Sequence, residues 1–175
     1  MRLHNPDVEV IALIDEKTKL GLTGKRSGYE KLVSEIKVIN APNGFSQKET
    51  SRWIKTSARN HLSGDFLYID CDTIITEKLE HEFPKNIKMG AVLDTHVPLS
   101  VHHQKKEFLR QITASRFEEE NQPTNYFNSG VIFCRETPET VNFYKSWNEL
   151  WIKSNTHGIY ADQPSLNQAK FMNNV

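Results

Sequence analysis

The sequence predicts an α/β domain with a mostly parallel central sheet. Short apolar runs rich in β-branched residues alternate along the chain with segments whose apolar residues recur at helical spacing. The first run, residues 8–14 (VEVIALI), is nearly continuous, as is typical of a strand covered on both faces. With 175 residues, the chain is long enough for one domain with its own core. We therefore expect residues 1–175 to form a single domain.

The remaining strands are predicted at four shorter apolar runs. These are residues 35–39, 66–69, 90–93 and 130–134. A capping box of Ser46 and Glu49 opens a helix that should run to about Leu62. The polar stretch between the last two strands is weakly patterned, and a helical piece is expected there over residues 105–117.

Two more helices are predicted in the last third of the chain. Thr137 and Pro138 are typical of a helix start. The apolar residues that follow at helical spacing form the expected buried stripe, namely Val141, Tyr144, Trp147 and Trp151. For the two tryptophans, core packing is a better interpretation than sugar stacking. The final helix should begin near Asp162.

Composition argues against several classes of function. Lys plus Arg number 22 and Asp plus Glu number 22, so no net charge attracts a nucleic acid. Cys71 and Cys134 lie in apolar runs without the spacing of a zinc site or a disulfide framework, which indicates a reducing compartment. Neither a membrane-spanning apolar stretch nor a secretion signal is recognisable. A cytoplasmic location is therefore expected.

Two carboxylates follow directly after the predicted strand at residues 66–69. In open α/β sheets ligands bind beyond the carboxyl ends of the strands, and residues two apart on an extended chain point the same way. Asp70 and Asp72 should then repel each other unless a proton, a basic group or a cation intervenes. Oxygen ligands favour Mg²⁺ or Mn²⁺ over zinc. The alternative is that the two acids cap a turn.

Three blocks of sequence together resemble a known enzyme family. They are FLYIDCD (residues 66–72), YFNSGVIF (126–133) and ADQPSLNQA (161–169). They are similar, in order and spacing, to elements of family 8 glycosyltransferases, the group of glycogenin and bacterial lipooligosaccharide galactosyltransferases. The resemblance implies a GT-A-like fold. It also implies transfer of a hexose from a nucleoside diphosphate sugar, such as a UDP-hexose, to a hydroxyl acceptor on a glycan or lipid-linked glycan, with retention of configuration.

The resemblance also implies roles for individual residues. Asp72 and Asp70 match the ligands of Mn²⁺ or Mg²⁺, and Asp70 also matches a donor-binding residue. Further donor-binding positions are matched by Asn128 and Ser129 and, on the helix before the acidic pair, by Arg52 or Lys55. The acceptor-facing position is matched by Asp94. The positions beside the reacting carbon are matched by Asp162 and Gln163.

Each of these positions also has a purely structural interpretation. Asp162 fits a helix N-cap, and residues 128–130 fit a turn or bulge at the start of a strand. Arg52, Lys55 and Arg59 share one helical face, which is usually solvated surface. The neighbours His102 and His103 lie on a polar segment, where we expect exposed side chains rather than metal ligands.

Relative to the family, the chain is expected to be truncated at both ends. The family opens with a nucleotide-binding strand, whereas residues 1–6 here read as the end of the following helix. The family also places a metal-binding histidine near its C-terminus, and His157 precedes the last block instead. This leaves open a non-catalytic relative that binds a sugar nucleotide or a partner.

The acidic pair is also compatible with a second enzyme class. Asp70 and Asp72 also fit the nucleophile and acid/base of a haloacid-dehalogenase-type phosphatase. Ile74 stands where that family has Thr or Val, and its later acidic pair is not recognisable. The glycosyltransferase is therefore the better interpretation of the pair.

Overall fold

The computed structural model describes residues 4–79, 84–115 and 124–173. They form a mixed α/β protein, as predicted. Two compact units are present, one comprising Met1–Lys55 and Asp72–Pro84 and the other Thr56–Cys71 and Lys85–Val175. Within the described ranges, no helix combines the length and apolar character needed to cross a membrane.

The first unit contains a two-stranded parallel sheet. Its strands and the helices that follow them are β1 (Ile11–Ile14), α1 (Glu16–Leu20), β2 (Glu35–Val38) and α2 (Gln47–Thr56). The sheet pairs Ile11 with Glu35 and Ile14 with Val38. Strand β1 is shorter than the predicted residues 8–14. The helix-end expectation for residues 1–6 lies partly outside the described residues, which begin at residue 4.

Side chains fix the start of both helices in this unit. The carboxylate of Asp15 accepts a hydrogen bond from the Thr18 N–H at 2.8 Å, which caps α1 and lowers the pKa of Asp15. The predicted capping box of α2 is confirmed, since Glu49 accepts from the Ser46 N–H at 2.8 Å. The α-helix ends at Thr56 rather than near Leu62.

The second unit contains a three-stranded antiparallel sheet. Its strands are β3 (Phe66–Ile69), β4 (Met89–Leu93) and β5 (Phe127–Cys134), in the order β3-β5-β4. Because β5 is antiparallel to both neighbours, β3 and β4 end on the same side of the sheet. The described strands therefore do not form one mostly parallel sheet, because the chain returns between β4 and β5 in the antiparallel sense.

Three helices complete the second unit. They are α3 (Lys105–Ala114), α4 (Pro138–Thr156) and α5 (Gln163–Asn173). Helix α3 covers most of the helical piece expected over residues 105–117, whose last two residues lie outside the described ranges. The buried positions of α4 share one face and are Thr140, Phe143, Tyr144, Trp147, Trp151 and Ser154.

The predicted stripe of α4 is confirmed at three of its four positions. Val141 is 44% exposed, and Thr140 lies buried on the stripe instead. Thr140 precedes Tyr144 by one helical turn, so it falls on the same face. Its hydroxyl donates to the Arg135 carbonyl at 2.5 Å, which is why a polar side chain can be buried there.

Candidate functional site

Two of the predicted site carboxylates flank β5 at one end of the three-stranded sheet. Asp70 follows β3, and its N–H donates to the Gly130 carbonyl at 2.8 Å. Asp94 follows β4, and its N–H donates to the Tyr126 carbonyl at 2.8 Å. Antiparallel pairing thus brings the end of the 66–72 block against the start of the 126–133 block.

Asn128 connects these two positions. Its Nδ2 donates to Oδ1 of Asp94 at 3.3 Å, and its Oδ1 accepts from the Gly130 N–H at 2.7 Å. On the β4 side the pairing is irregular, because residues 128–131 of β5 lie opposite Val92 alone. A turn or bulge at the start of a strand was one structural interpretation of residues 128–130, and the structure places them inside β5, where the register against β4 shifts. The amide side chain of Asn128 reaches Asp94 within this irregular stretch.

Gly130 leaves the space that this arrangement needs. A Cβ atom at this position would lie 2.9 Å from Oδ1 of Asn128 and 3.0 Å from Oδ2 of Asp70. Both distances are shorter than carbon–oxygen contacts allow without displacement. The absence of a side chain at Gly130 therefore lets the amide and the carboxylate approach the same stretch of backbone.

A third predicted carboxylate, that of Asp162, acts electrostatically on Tyr68 and Tyr126. Burial raises the pKa of Tyr68, and the charges of Asp70 and Asp162 raise it further. Burial likewise raises the pKa of Tyr126, with added contributions from Asp94 and Asp162. The charge of Asp162, which is buried, therefore acts on both phenols. Three of the predicted acids thus contribute to the raised pKa values of this pair of tyrosines.

The start of α5 is anchored on β5. Asn167 accepts from the Phe127 N–H at 2.8 Å and donates to the Phe127 carbonyl at 3.2 Å, and Gln163 donates to the same carbonyl at 3.4 Å. The indole of Trp147 donates to the carbonyl of Asp162 at 3.0 Å. The 161–169 block is thereby held against the 126–133 block.

The carbonyl of Asp162 also begins the hydrogen bonding of α5. It accepts from the Leu166 N–H at 3.0 Å and from the Ser165 hydroxyl at 2.8 Å. This is the N-cap position of the helix. Ser129, also a predicted donor-binding residue, is buried in β5.

The other three predicted residues belong to the first unit. Asp72 is exposed in the turn that follows Asp70. Arg52 and Lys55 lie on α2, where Arg52 is half-buried and Lys55 is only 3% exposed. The interpretation of this basic face as solvated surface is therefore wrong for Lys55.

That interpretation is wrong for Arg59 as well. This buried residue of the second unit donates to the Gly64 carbonyl at 2.8 Å and to the Leu62 carbonyl. Its guanidinium lies 4.7 Å from the centre of the Phe66 ring. The buried guanidinium is thus paired with carbonyl groups of the loop between the helical segment and β3.

The predicted acids can be compared with what a divalent ion requires. Among residues 4–79, 84–115 and 124–173, no three His, Cys, Asp or Glu side chains form a group able to hold a metal. Mg²⁺ is commonly held by one or two carboxylates, with phosphate oxygens and water completing its shell. Asp70, in the second unit, and Asp72, exposed in the first, are the two carboxylates for which a metal was predicted.

Four polar residues that line this end of the second unit were not predicted as site residues. They are Tyr68, His102, Tyr126 and Asn167. The sequence could have indicated two of them. Tyr68 precedes Asp70 by two residues on a strand, and Asn167 follows Gln163 by one helical turn, so each lies on the same face as a predicted site residue. His102 was expected to be exposed, and this is wrong, because its side chain is fully buried. Its neighbour His103 is exposed as predicted.

Comparison with models of known protein families, with curated proteins and with solved structures found no significant match. The similarity to family 8 glycosyltransferases therefore remains a resemblance in three blocks. The groups described above include three carboxylates, three amides and two phenols, which can donate and accept several hydrogen bonds.

Proposed function

We propose that this protein is a glycosyltransferase that moves a hexose from a nucleoside diphosphate sugar to a hydroxyl acceptor. One observation carries the proposal. Residues from three blocks of sequence that together resemble the family meet at one end of the second unit, through the hydrogen bonds of Asp70 with Gly130 and of Asn167 with Phe127. The blocks are far apart in the chain, so their meeting is a property of the fold.

The polar side chains at this end of the second unit are of the types that bind sugar hydroxyl groups. Carboxylates accept hydrogen bonds from hydroxyl groups, and amides both donate and accept. Asn128 and Gln163 supply the amides, and Asp94 supplies a carboxylate toward the acceptor. Asp162 is a buried carboxylate. A negative charge in such a position stabilises the positive charge that develops on the sugar carbon as the diphosphate departs.

The proposal assigns Mn²⁺ or Mg²⁺ to Asp70 and Asp72. Such an ion would neutralise charge on the departing diphosphate. Asp70 contributes a carboxylate whose Oδ1 is already oriented by the Tyr68 phenol at 2.8 Å. The protein groups thereby orient the donor, and retention of configuration is proposed from the family resemblance.

A transfer assay tests the proposal directly. The full chain is incubated with radiolabelled UDP-glucose or UDP-galactose, Mn²⁺ and a panel of p-nitrophenyl glycosides, and both transfer and donor hydrolysis are measured. We expect turnover that needs the metal and that falls at least about 100-fold in Asp70→Asn, since an oriented charge in an active site is worth several kcal/mol. Asp7→Asn, the same change at an exposed aspartate, serves as the control.

The same experiment separates the alternatives. Metal-dependent binding of the donor without any turnover would support a non-catalytic relative. Release of phosphate from p-nitrophenyl phosphate, lost in Asp70→Asn, would support a phosphatase. Neither binding nor turnover with these donors would contradict the proposal.

A further inference from the structure

The His102 ring has a defined tautomer. Its Nδ1 accepts a hydrogen bond from the Gln104 N–H at 3.0 Å, so this nitrogen carries no proton. A neutral imidazole has one donor and one acceptor nitrogen, and the proton must therefore reside on Nε2. The side chain is fully buried, and so this N–H is held inside the protein.

The Nε2 atom is directed at a predicted site residue. It lies 3.6 Å from Oδ2 of Asp94, whose other oxygen accepts from Asn128 at 3.3 Å. The two oxygens of this carboxylate are therefore approached from two different elements. A distance of 3.6 Å is longer than a hydrogen bond, but such contacts in ligand-free sites shorten when the ligand binds.

Aromatic packing fixes the orientation of the imidazole. The ring centre of His102 lies 4.7 Å from that of Phe108 and 4.7 Å from that of the stacked His103. Phe108 is itself stacked on Tyr126 at 3.9 Å. Close packing against these rings restricts rotation of the imidazole, so Nε2 stays near Oδ2 of Asp94.

The backbone between Asp94 and the histidine is unusual. Thr95 and His96 both have positive φ angles, 51° and 58°. This conformation is costly for a β-branched residue such as Thr95. The turn directs the chain away from the end of β4, and the His102 ring packs back against Asp94.

We propose that His102 is a positioning residue that holds the Asp94 carboxylate in the orientation needed to meet an acceptor hydroxyl. This inference rests on the proposed function. His102 touches neither the donor nor the acceptor and acts only through Asp94. Its loss should therefore affect use of the acceptor, while hydrolysis of the donor by water continues.

Two substitutions of His102 differ in whether they keep an N–H group near the position of Nε2. His102→Gln keeps an N–H near the position of Nε2, whereas His102→Asn has its amide near the position of Nδ1 and removes the donor from Asp94. His157→Asn is the control, because it makes the same change at an exposed histidine that follows α4. All are made in the full chain.

The kinetic readout compares transfer to the p-nitrophenyl glycosides with hydrolysis of the same UDP-hexose. In His102→Asn we expect kcat/KM for the acceptor to fall about 10-fold or more, the effect of losing the hydrogen bond to a charged group that this contact forms once it shortens in the acceptor complex. KM for the donor and the hydrolysis rate should stay within about threefold of wild type. His102→Gln should recover most of the transfer activity. Equal losses of transfer and hydrolysis, or no loss in His102→Asn, would overturn the proposal.

An NMR measurement tests the contact without any activity. Long-range ¹H–¹⁵N correlation spectra, assigned with His102→Gln, should show a protonated Nε2 and a bare Nδ1 for His102, and Asp94→Asn should shift the Nε2 signal. A protonated Nδ1, or no response to Asp94→Asn, would overturn the proposal even if one variant failed to fold. Absence of transfer by the wild type would instead contradict the proposed function, and the spectra would still decide the contact.

Discussion

Tyr68 donates a hydrogen bond from its phenol to Oδ1 of Asp70 across 2.8 Å. The two residues are two apart at the end of β3, so their side chains point to the same face. Burial raises the pKa of Tyr68, and the charge of Asp70 and their hydrogen bond raise it further. The phenol therefore stays protonated at neutral pH and remains a hydrogen-bond donor to Asp70.

Removal of this phenol should weaken donor binding. Hydrogen bonds to charged groups contribute roughly 1.5 to 3 kcal/mol, so Tyr68→Phe is expected to raise the Kd of the Mn²⁺–UDP complex about 10-fold or more. Isothermal titration calorimetry measures this change.

Tyr144→Phe is the matched control for the Tyr68 variant. The Tyr144 hydroxyl is buried and has no hydrogen-bond partner among the residues that the structure describes. Its removal should leave Kd unchanged and keep or raise the melting temperature. Equal affinity in wild type and Tyr68→Phe would show that this phenol does not orient Asp70 for binding.

Gly130→Ala should impair the site more than the fold. The added Cβ would meet Oδ1 of Asn128 at 2.9 Å and Oδ2 of Asp70 at 3.0 Å, and both are ends of side chains that can move. We therefore expect transfer activity to fall at least about 10-fold, since displacement of site groups by about 1 Å has large kinetic effects. The melting temperature should drop by only a few degrees.

Gly90→Ala on the neighbouring strand provides the comparison. A Cβ there meets only Cβ of Phe133, at 3.9 Å, which is an ordinary contact. Activity should stay near wild type. If Gly130→Ala and Gly90→Ala had the same activity, the space at Gly130 would have no role in the site.

The sequence was sufficient to locate the strands but not to pair them. The run at residues 66–69 was predicted with its observed bounds, because an apolar segment between Gly64 and Asp70 has clear limits. The direction of pairing depends on how the chain returns from β4 to β5, through a stretch with weak local pattern. Alternation of strands and helices therefore suggested parallel pairing that the second unit does not have.

The sequence also located most of the candidate site, but it did not reveal the burial of His102 and Arg59. Asp70 was found because it follows an apolar run directly, whereas Asp94 and Asn128 were found through the family resemblance. The burial of His102 depends on packing against Phe108 of α3, which no local signal in a polar stretch reveals. In the same way, the burial of Arg59 depends on carbonyl groups of the following loop, whose position the helical pattern does not reveal.

Asn167→Ala should be one of the more destabilising substitutions in α5. The side chain satisfies both the N–H and the carbonyl of Phe127, at 2.8 and 3.2 Å, and is buried. Without these bonds, the N–H and the carbonyl of Phe127 each lose a hydrogen-bond partner. The free energy of unfolding should therefore fall by roughly 2 to 4 kcal/mol. Thermal unfolding followed by circular dichroism should show a melting temperature lower by roughly 5 to 15 °C.

Asn173→Ala in the same helix serves as its control. This asparagine donates only to the Ala169 carbonyl at 2.8 Å, within its own helix. Its loss should change the free energy of unfolding by about 1 kcal/mol or less. Similar melting temperatures for the two variants would show that the hydrogen bonds between Asn167 and Phe127 do not hold α5 on β5.

Stability should decrease as the pH rises above about 10, the ordinary pKa of tyrosine. Burial is the main cause of the raised pKa values of Tyr68, Tyr126 and Tyr144, so at pH 10 to 11 the native protein binds more protons than the unfolded chain. The free energy of unfolding then falls with pH, by up to about 1.4 kcal/mol per pH unit for each group. Urea unfolding between pH 8 and 11 measures the slope, which should be smaller in Tyr126→Phe. Equal phenolate absorbance at 295 nm in native and urea-unfolded protein throughout this range would contradict the prediction.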